Sequence, residues 1–268
     1  MKKPLCLALT LLVILSLCAC GAKEPSTKEY VQYHVLSRYV LQSTGDVNVT
    51  EYSYDESWLP LGTETRLNGE FASSVEYVYS DDKTQLTMNY SSATYDAYST
   101  QQKLVFDTQG RLIKASVLEN GEVGAVSEYF YDAAGREVKV ISTAPGNDRS
   151  ELERRYDEEG KLLCFTVDTG YYTTREDYFY DEEGRLTSIE YYRNDKLESV
   201  SRYSHEDKLR YGTVFDAEGK VLGRLTEVLD EAGNVLECER FDALGNRQSY
   251  TVTVYAAADG SVSGKLPE

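Results

Sequence analysis

Histidine occurs twice in these 268 residues, tryptophan once, methionine twice, and proline and cysteine five times each. Each shortage removes a class of chemistry. With only His34 and His205 available, a Ser-His-Asp triad needs one of them buried beside a serine, and neither neighbourhood favours that. No His-x-x-x-His, Cys-x-x-Cys, phosphate-binding loop or Gly-x-Ser-x-Gly is present, so metal, nucleotide and hydrolase chemistry have no local signature. Three of the cysteines lie within the first twenty residues. That leaves Cys164 and Cys238, which make no disulfide framework. Lys and Arg number 28 against 45 Asp and Glu, a formal charge of −17. Such a surface repels phosphate backbones, which argues against nucleic acid as a partner, and it lacks a polybasic patch for anionic lipid. The expectation is a non-enzymatic protein with no catalytic, cofactor or metal site.

What is present begins with a separate device at the N-terminus. Lys2 and Lys3 precede a mostly apolar run from Leu5 to Leu17, too short to remain as a bilayer-spanning helix. Leu17-Cys18-Ala19-Cys20-Gly21 then resembles the lipobox of bacterial lipoproteins, with Leu at −3, a small residue at −1 and the acylated cysteine at +1. The resemblance implies that residues 1–19 are a signal peptide, that Cys20 carries the lipid, and that residues 20–28 tether the folded part to the membrane. It implies a location on the extracytoplasmic face of the cell membrane, most simply in a Gram-positive bacterium. Without Lys2 and Lys3 the 28 basic residues become 26 against 45 acidic, a balance of −19. Residues 29–268 read as one repetitive domain.

Twenty-three tyrosines mark that domain, and their order is periodic. Aromatic-Asp-x-x-Gly-basic recurs at Phe106-Asp107, Tyr131-Asp132, Tyr156-Asp157, Tyr180-Asp181 and Phe215-Asp216, with weaker copies at Leu229-Asp230 and Phe241-Asp242. Before and between these copies lie other turn signals, among them Asn68-Gly69, Asn120-Gly121 and Asn194-Asp195. Each unit of about 25 residues therefore holds two turns and two strand-length segments, too short for ordinary helices. In a three-residue hairpin loop, Asp accepts backbone N–H bonds at the first position and Gly takes positive φ at the last. Asp107/Gly110, Asp132/Gly135, Asp157/Gly160, Asp181/Gly184 and Asp216/Gly219 fill those places. The middle pair varies freely (Thr-Gln, Ala-Ala, Glu-Glu, Ala-Glu), which a metal site or an acid/base pair could not tolerate. Asp181-Glu182-Glu183 is thus read as a turn.

Aromatic-Asp-x-x-Gly-Arg-Leu at this spacing resembles the YD repeat of RHS-type bacterial surface and secreted proteins, over roughly residues 50–250. The resemblance implies long antiparallel sheets. In that family they coil into shells around a toxin, but too few repeats stand here for a closed shell and no effector follows, which leaves the sheet architecture and a likeness to small YD-repeat lipoproteins. The expected fold is all-β: an elongated, coiled antiparallel β-meander of repeated hairpins with about nineteen strands, roughly 90 Å long if flat.

Tyr77/Tyr79, Tyr129/Tyr131 and Tyr178/Tyr180 share strand faces by period-2 alternation and form a candidate binding surface. Amphipathic tyrosine equally suits a thin sheet, burying its ring while its hydroxyl reaches water. His34 reads as a packed or edge side chain, His205 as a solvent-exposed residue of a degenerate turn, and Trp58 as a structural plug. Cys164 and Cys238 fall on opposite faces of strands six apart, about 29 Å in an open sheet, too far for a disulfide. The functional expectation is a lipid-anchored binding or display module for glycans, wall polymer or a protein partner. A purely structural envelope component is the alternative.

Overall fold

The computed structural model describes residues 33–93, 100–146, 148–231, 233–257 and 262–264. They form nineteen strands and no helix: β1 (Tyr33–Gln42), β2 (Val47–Tyr54), β3 (Pro60–Leu67), β4 (Glu70–Tyr79), β5 (Gln85–Ser92) and β6 (Thr100–Phe106) open the chain. Then come β7 (Leu112–Glu119), β8 (Glu122–Tyr131), β9 (Glu137–Thr143), β10 (Arg149–Tyr156), β11 (Leu162–Asp168) and β12 (Thr173–Tyr180). The last are β13 (Leu186–Arg193), β14 (Lys196–Glu206), β15 (Leu209–Asp216), β16 (Val221–Leu229), β17 (Val235–Asp242), β18 (Arg247–Ala257) and the short β19 (Val262–Ser263). Each strand pairs antiparallel with the next.

The expectation of an open, elongated meander is corrected at the seam. β1 also pairs with β18, from Tyr33↔Ala257 to Gln42↔Ser249, so strands β1–β18 close into a barrel. Twist accumulating over many strands brings the first beside the last, and closure satisfies two rows of backbone N–H and C=O groups that an open sheet would leave bare. β19 lies outside the ring, on the other side of β18 at Tyr255 and Ala256. A round barrel of eighteen strands, about 4.8 Å apart and tilted about 40°, has a backbone diameter of roughly 35 Å.

Alternation gives the wall two faces. The more buried, inner face carries Leu86, Met88, Leu104 and Ala115, with Val75, Tyr77, Tyr79, Tyr90, Phe106, Leu112 and Tyr129 packed around them. On the outer face the exposed side chains include Val78, Phe130 and Phe179. The seam strand β18 departs from this rule. Val252 and Val254, on its outward side, are buried, and so is Thr253 on its inward side.

Even-numbered strands end, and odd-numbered ones begin, at one rim, called here the N-terminal rim because β1 starts there. The turns at Asp107, Asp132, Asp157, Asp181 and Asp230 lie on this rim, whereas those at Asp216 and Asp242 lie on the opposite one. Successive hairpins of a meander are related by turning one over, so the same turn placed on the opposite rim must show its other side. Tyr131, Tyr156 and Tyr180 accordingly point inward, while Phe215 shares the outer face with Tyr211 and lies under the Arg202 guanidinium. After each Asp turn of the N-terminal rim one residue of the outgoing strand is skipped by the pairing, as at Ile113 and Leu163. This bulge sets two consecutive side chains on the outer side.

Candidate functional site

The repeat motif builds a ladder along the N-terminal rim. In its first copy, Asp107 Oδ1 accepts the backbone N–H groups of Gln109 and Arg111 at 2.9 Å, and Arg111 Nε donates to Oδ2 at 2.7 Å. The Arg111 N–H bond is the main reason the Asp107 carboxyl titrates below its ordinary range. Gly110 closes the turn at φ 77°, where a side chain would be strained. Asp132, Asp157, Asp181 and Asp216 accept the N–H four residues on in the same way, ahead of which Gly135, Gly160, Gly184 and Gly219 all take positive φ. Tyr180↔Leu186, Tyr156↔Leu162 and Phe106↔Leu112 face one another one step inside the turns.

The basic residue has a second contact, with the following repeat. The Arg111 guanidinium lies 4.9 Å over the Tyr131 ring, Arg136 lies 5.0 Å over Tyr156, and the Lys161 ammonium 6.0 Å over Tyr180. Each of these tyrosines then donates its hydroxyl across the neighbouring strand: Tyr131 to the Leu112 carbonyl at 2.7 Å, Tyr156 to Glu137 at 3.0 Å, and Tyr180 to Leu162 at 2.9 Å. Asp and Gly are therefore occupied in shaping the turn, and the basic residue and aromatic in joining one repeat to the next. The signal for this was in the sequence as a basic residue followed 19 or 20 positions later by tyrosine.

The same device explains both histidines. His205 Nε2 sits 2.8 Å from the Leu186 carbonyl, the place a tyrosine hydroxyl takes in the preceding repeats, so it is half-buried and not a free turn residue. At the seam, Tyr54 donates to Val35 O at 2.7 Å, and His34 occupies the position of the basic residue, edge-on to the Tyr54 ring and stacked 4.9 Å from Trp58. The seam is thus one more rung of the ladder.

The six candidate tyrosines all lie on the inner face. Tyr77, Tyr79 and Tyr129 pack against the buried cluster, and burial pushes the Tyr129 hydroxyl up to about 12. Tyr131 and Tyr180 hold the ladder, and Tyr178 donates to Glu176. The inner wall also holds two ion pairs with one buried member each: buried Arg154 with half-buried Glu137, and half-buried Arg210 with buried Glu227 at 2.5 Å. Cys238 lies beside the second pair, where burial pushes its thiol up. Cys164 sits on the outer side of β11; both cysteines are buried and free. Among the described residues no three His, Cys, Asp or Glu side chains gather as a metal site. Cys20 and the tether lie outside the described residues.

The middle of the outer wall is charged. Lys139 bridges Glu151 at 2.5 Å and Glu153 at 3.1 Å, and Arg175 pairs with Asp177.

No family model and no curated protein matches the sequence. Among solved structures, a porin-like protein from Bacteroides uniformis ATCC 8492 matches with a TM-score of 0.51 at 9% identity, over 83% of this chain and 97% of that one. A porin-like protein from Bacteroides vulgatus ATCC 8482 gives a TM-score of 0.39 at 12% identity, over 83% and 98%. A chain of the Photorhabdus luminescens Tc holotoxin pore gives 0.38 at 13% identity; 80% of this chain is covered but only 14% of that one, so the present chain spans about a seventh of its length. At such identities the first match speaks for the fold alone. The fold is a closed antiparallel barrel.

Proposed function

We propose that this chain is a lipid-anchored YD-repeat protein of the bacterial envelope, held to the membrane through Cys20, that binds an elongated ligand on the inner wall of its barrel. The ligand class is a glycan, a wall polymer or a protein segment. The observation that carries this reading is the tyrosine-rich inner face of a closed ring, which lines the inside of the barrel with aromatic rings. The lipobox-like Leu17-Cys18-Ala19-Cys20 supports the anchor, and the rim ladder supports kinship with YD repeats. Reading the barrel as a bilayer pore, by analogy with the porin-like proteins, is disfavoured by the charged mid-wall. Charged side chains facing lipid there cost about 2–4 kcal/mol each near the midplane for basic residues. The alternative is a purely structural envelope component.

A binding screen of residues 29–268 against glycans and wall fragments tests the reading. Saturable binding that weakens in Tyr178→Ser and in Tyr191→Ser, the inner-face tyrosine of β13 that pairs with Glu176, at unchanged thermal midpoint, supports it. Binding that ignores both substitutions removes the inner wall as the site.

A further inference from the structure

The N-terminal rim carries an outward apolar collar that neither the ladder nor the inner wall uses. Leu61, Val78, Ile113, Phe130, Leu163 and Phe179 are each 39% to 47% exposed. All six lie within a few residues of a turn of this rim. They fall into doublets on adjacent strands: Leu61 with Val78 on β3/β4, Ile113 with Phe130 on β7/β8, and Leu163 with Phe179 on β11/β12. The doublets therefore recur every four strands, about 19 Å apart along the wall. Three of the six are residues that the pairing skips, Leu61, Ile113 and Leu163, so the bulges aim them outward.

Charge distinguishes this rim from the other. Its eight turns hold fifteen Asp and Glu against six Lys and Arg, a balance of −9, whereas the eight described turns of the opposite rim, with Asp216 and Asp242 counted in the same way, hold six acids against one base, −5. The opposite rim also exposes apolar side chains at the same strand pairs, Leu67 and Phe71 on β3/β4, Val123 on β8, and Tyr171 and Tyr172 in the β11/β12 turn, but without paired outward bulge residues and with fewer acids. A second copy of the chain would bring acid against acid at either rim, and an anionic bilayer would be repelled.

We propose that the collar and the acidic turns together dock a basic, partly apolar polypeptide segment lying in extended form along the N-terminal rim. About 19 Å corresponds to roughly six residues of extended chain, so the partner places an apolar side chain about every sixth position and Lys or Arg between. Apolar anchors fill the doublets, and the acidic turn tips steer the approach. This surface is separate from the inner-wall site and does not depend on it.

The probe is a synthetic peptide with Leu or Phe at every sixth position and Lys or Arg between, against a permuted peptide of the same composition. Fluorescence anisotropy with unlipidated residues 29–268 should give saturable binding that is tighter for the six-residue spacing and weakens steeply with salt. Phe130→Ser with Phe179→Ser should lower affinity tenfold or more at unchanged melting temperature. Glu158, Glu159, Glu182 and Glu183 changed to Gln should flatten the salt dependence; other turns already carry Ala in these places. Equal affinity for both peptides, or binding indifferent to the two Phe substitutions, overturns the proposal. So does collar-dependent sedimentation with phosphatidylglycerol vesicles in place of peptide binding, which would make lipid the occupant.

Discussion

Closure of the sheet is testable by a cross-link that only a barrel allows. Ser37 on β1 and Val254 on β18 are direct partners across the seam, on the outer face and away from Cys238. Directly opposed residues of an antiparallel pair have Cα atoms about 4.5–5.5 Å apart, inside the roughly 7 Å limit for a disulfide. In an open meander seventeen strand spacings would separate β1 from β18, about 80 Å. Ser37→Cys with Val254→Cys should therefore oxidise to a single intramolecular bond, identified by a linked peptide in a non-reducing digest. That bond closes a loop of about 218 residues. The chain-entropy relation assigns it on the order of 5 kcal/mol of stabilisation against denaturant, less whatever strain the native geometry imposes. Thr143→Cys with Arg149→Cys, partners on the sequence-adjacent strands β9 and β10, is the control that either architecture would permit. Formation of the control bond without the seam bond would refute the barrel.

In the turn at Asp181, Gly184→Val should destabilise by about 1–2 kcal/mol in urea unfolding, because a β-branched residue is forced to φ 76°. Glu183→Ala should be nearly neutral, and equal damage from both would contradict a purely conformational role for the motif. Tyr131→Phe removes the bond to Leu112 O and should cost about 1 kcal/mol, with little effect on the Arg111 stacking. Burial raises Tyr129 and Tyr90 to about 12, above the value near 10 of an unfolded chain. The neutral phenols favour the fold, so their contribution is complete below about pH 10 and is lost as pH rises towards 12. Melting temperature should fall through that window, and Tyr129→Phe should soften the fall. Asp107 and Asp242 are shifted the other way, by the Arg111 N–H and the Asn246 side chain respectively, so their contribution is present above about pH 4 and is lost in stronger acid. A melting curve that is flat through that acid range would argue against the turn bonds.

The strands, the turn chemistry and the facing pairs inside each turn were legible because they are local: Asp-x-x-Gly fixes a loop, and period-2 alternation fixes a face. Closure was not legible, since the pairing of Val35 with Tyr255 spans more than two hundred residues and no local pattern announces it. One trace did exist. Thr251-Val252-Thr253-Val254-Tyr255-Ala256 offers little charge on either side, unlike a strand left at an open edge. The candidate tyrosines could be assigned to one face but not to the inside, because inside exists only once the ring is shut. His205 was misplaced for a related reason. Its partner, Leu186 O, lies 19 residues back, and only the ladder shows that a histidine can stand where tyrosine stood.

Turning each hairpin over relative to the last limits how such a chain can lengthen. Duplication of a whole unit of about 25 residues adds two strands, keeps the total even, and leaves every inherited rim tyrosine facing the interior. Gain of a single strand would force a parallel pairing where β18 now meets β1 antiparallel and would reverse the face of all that follows. Ring size for a chain built this way is therefore quantised, in steps of about 4 Å of diameter per unit.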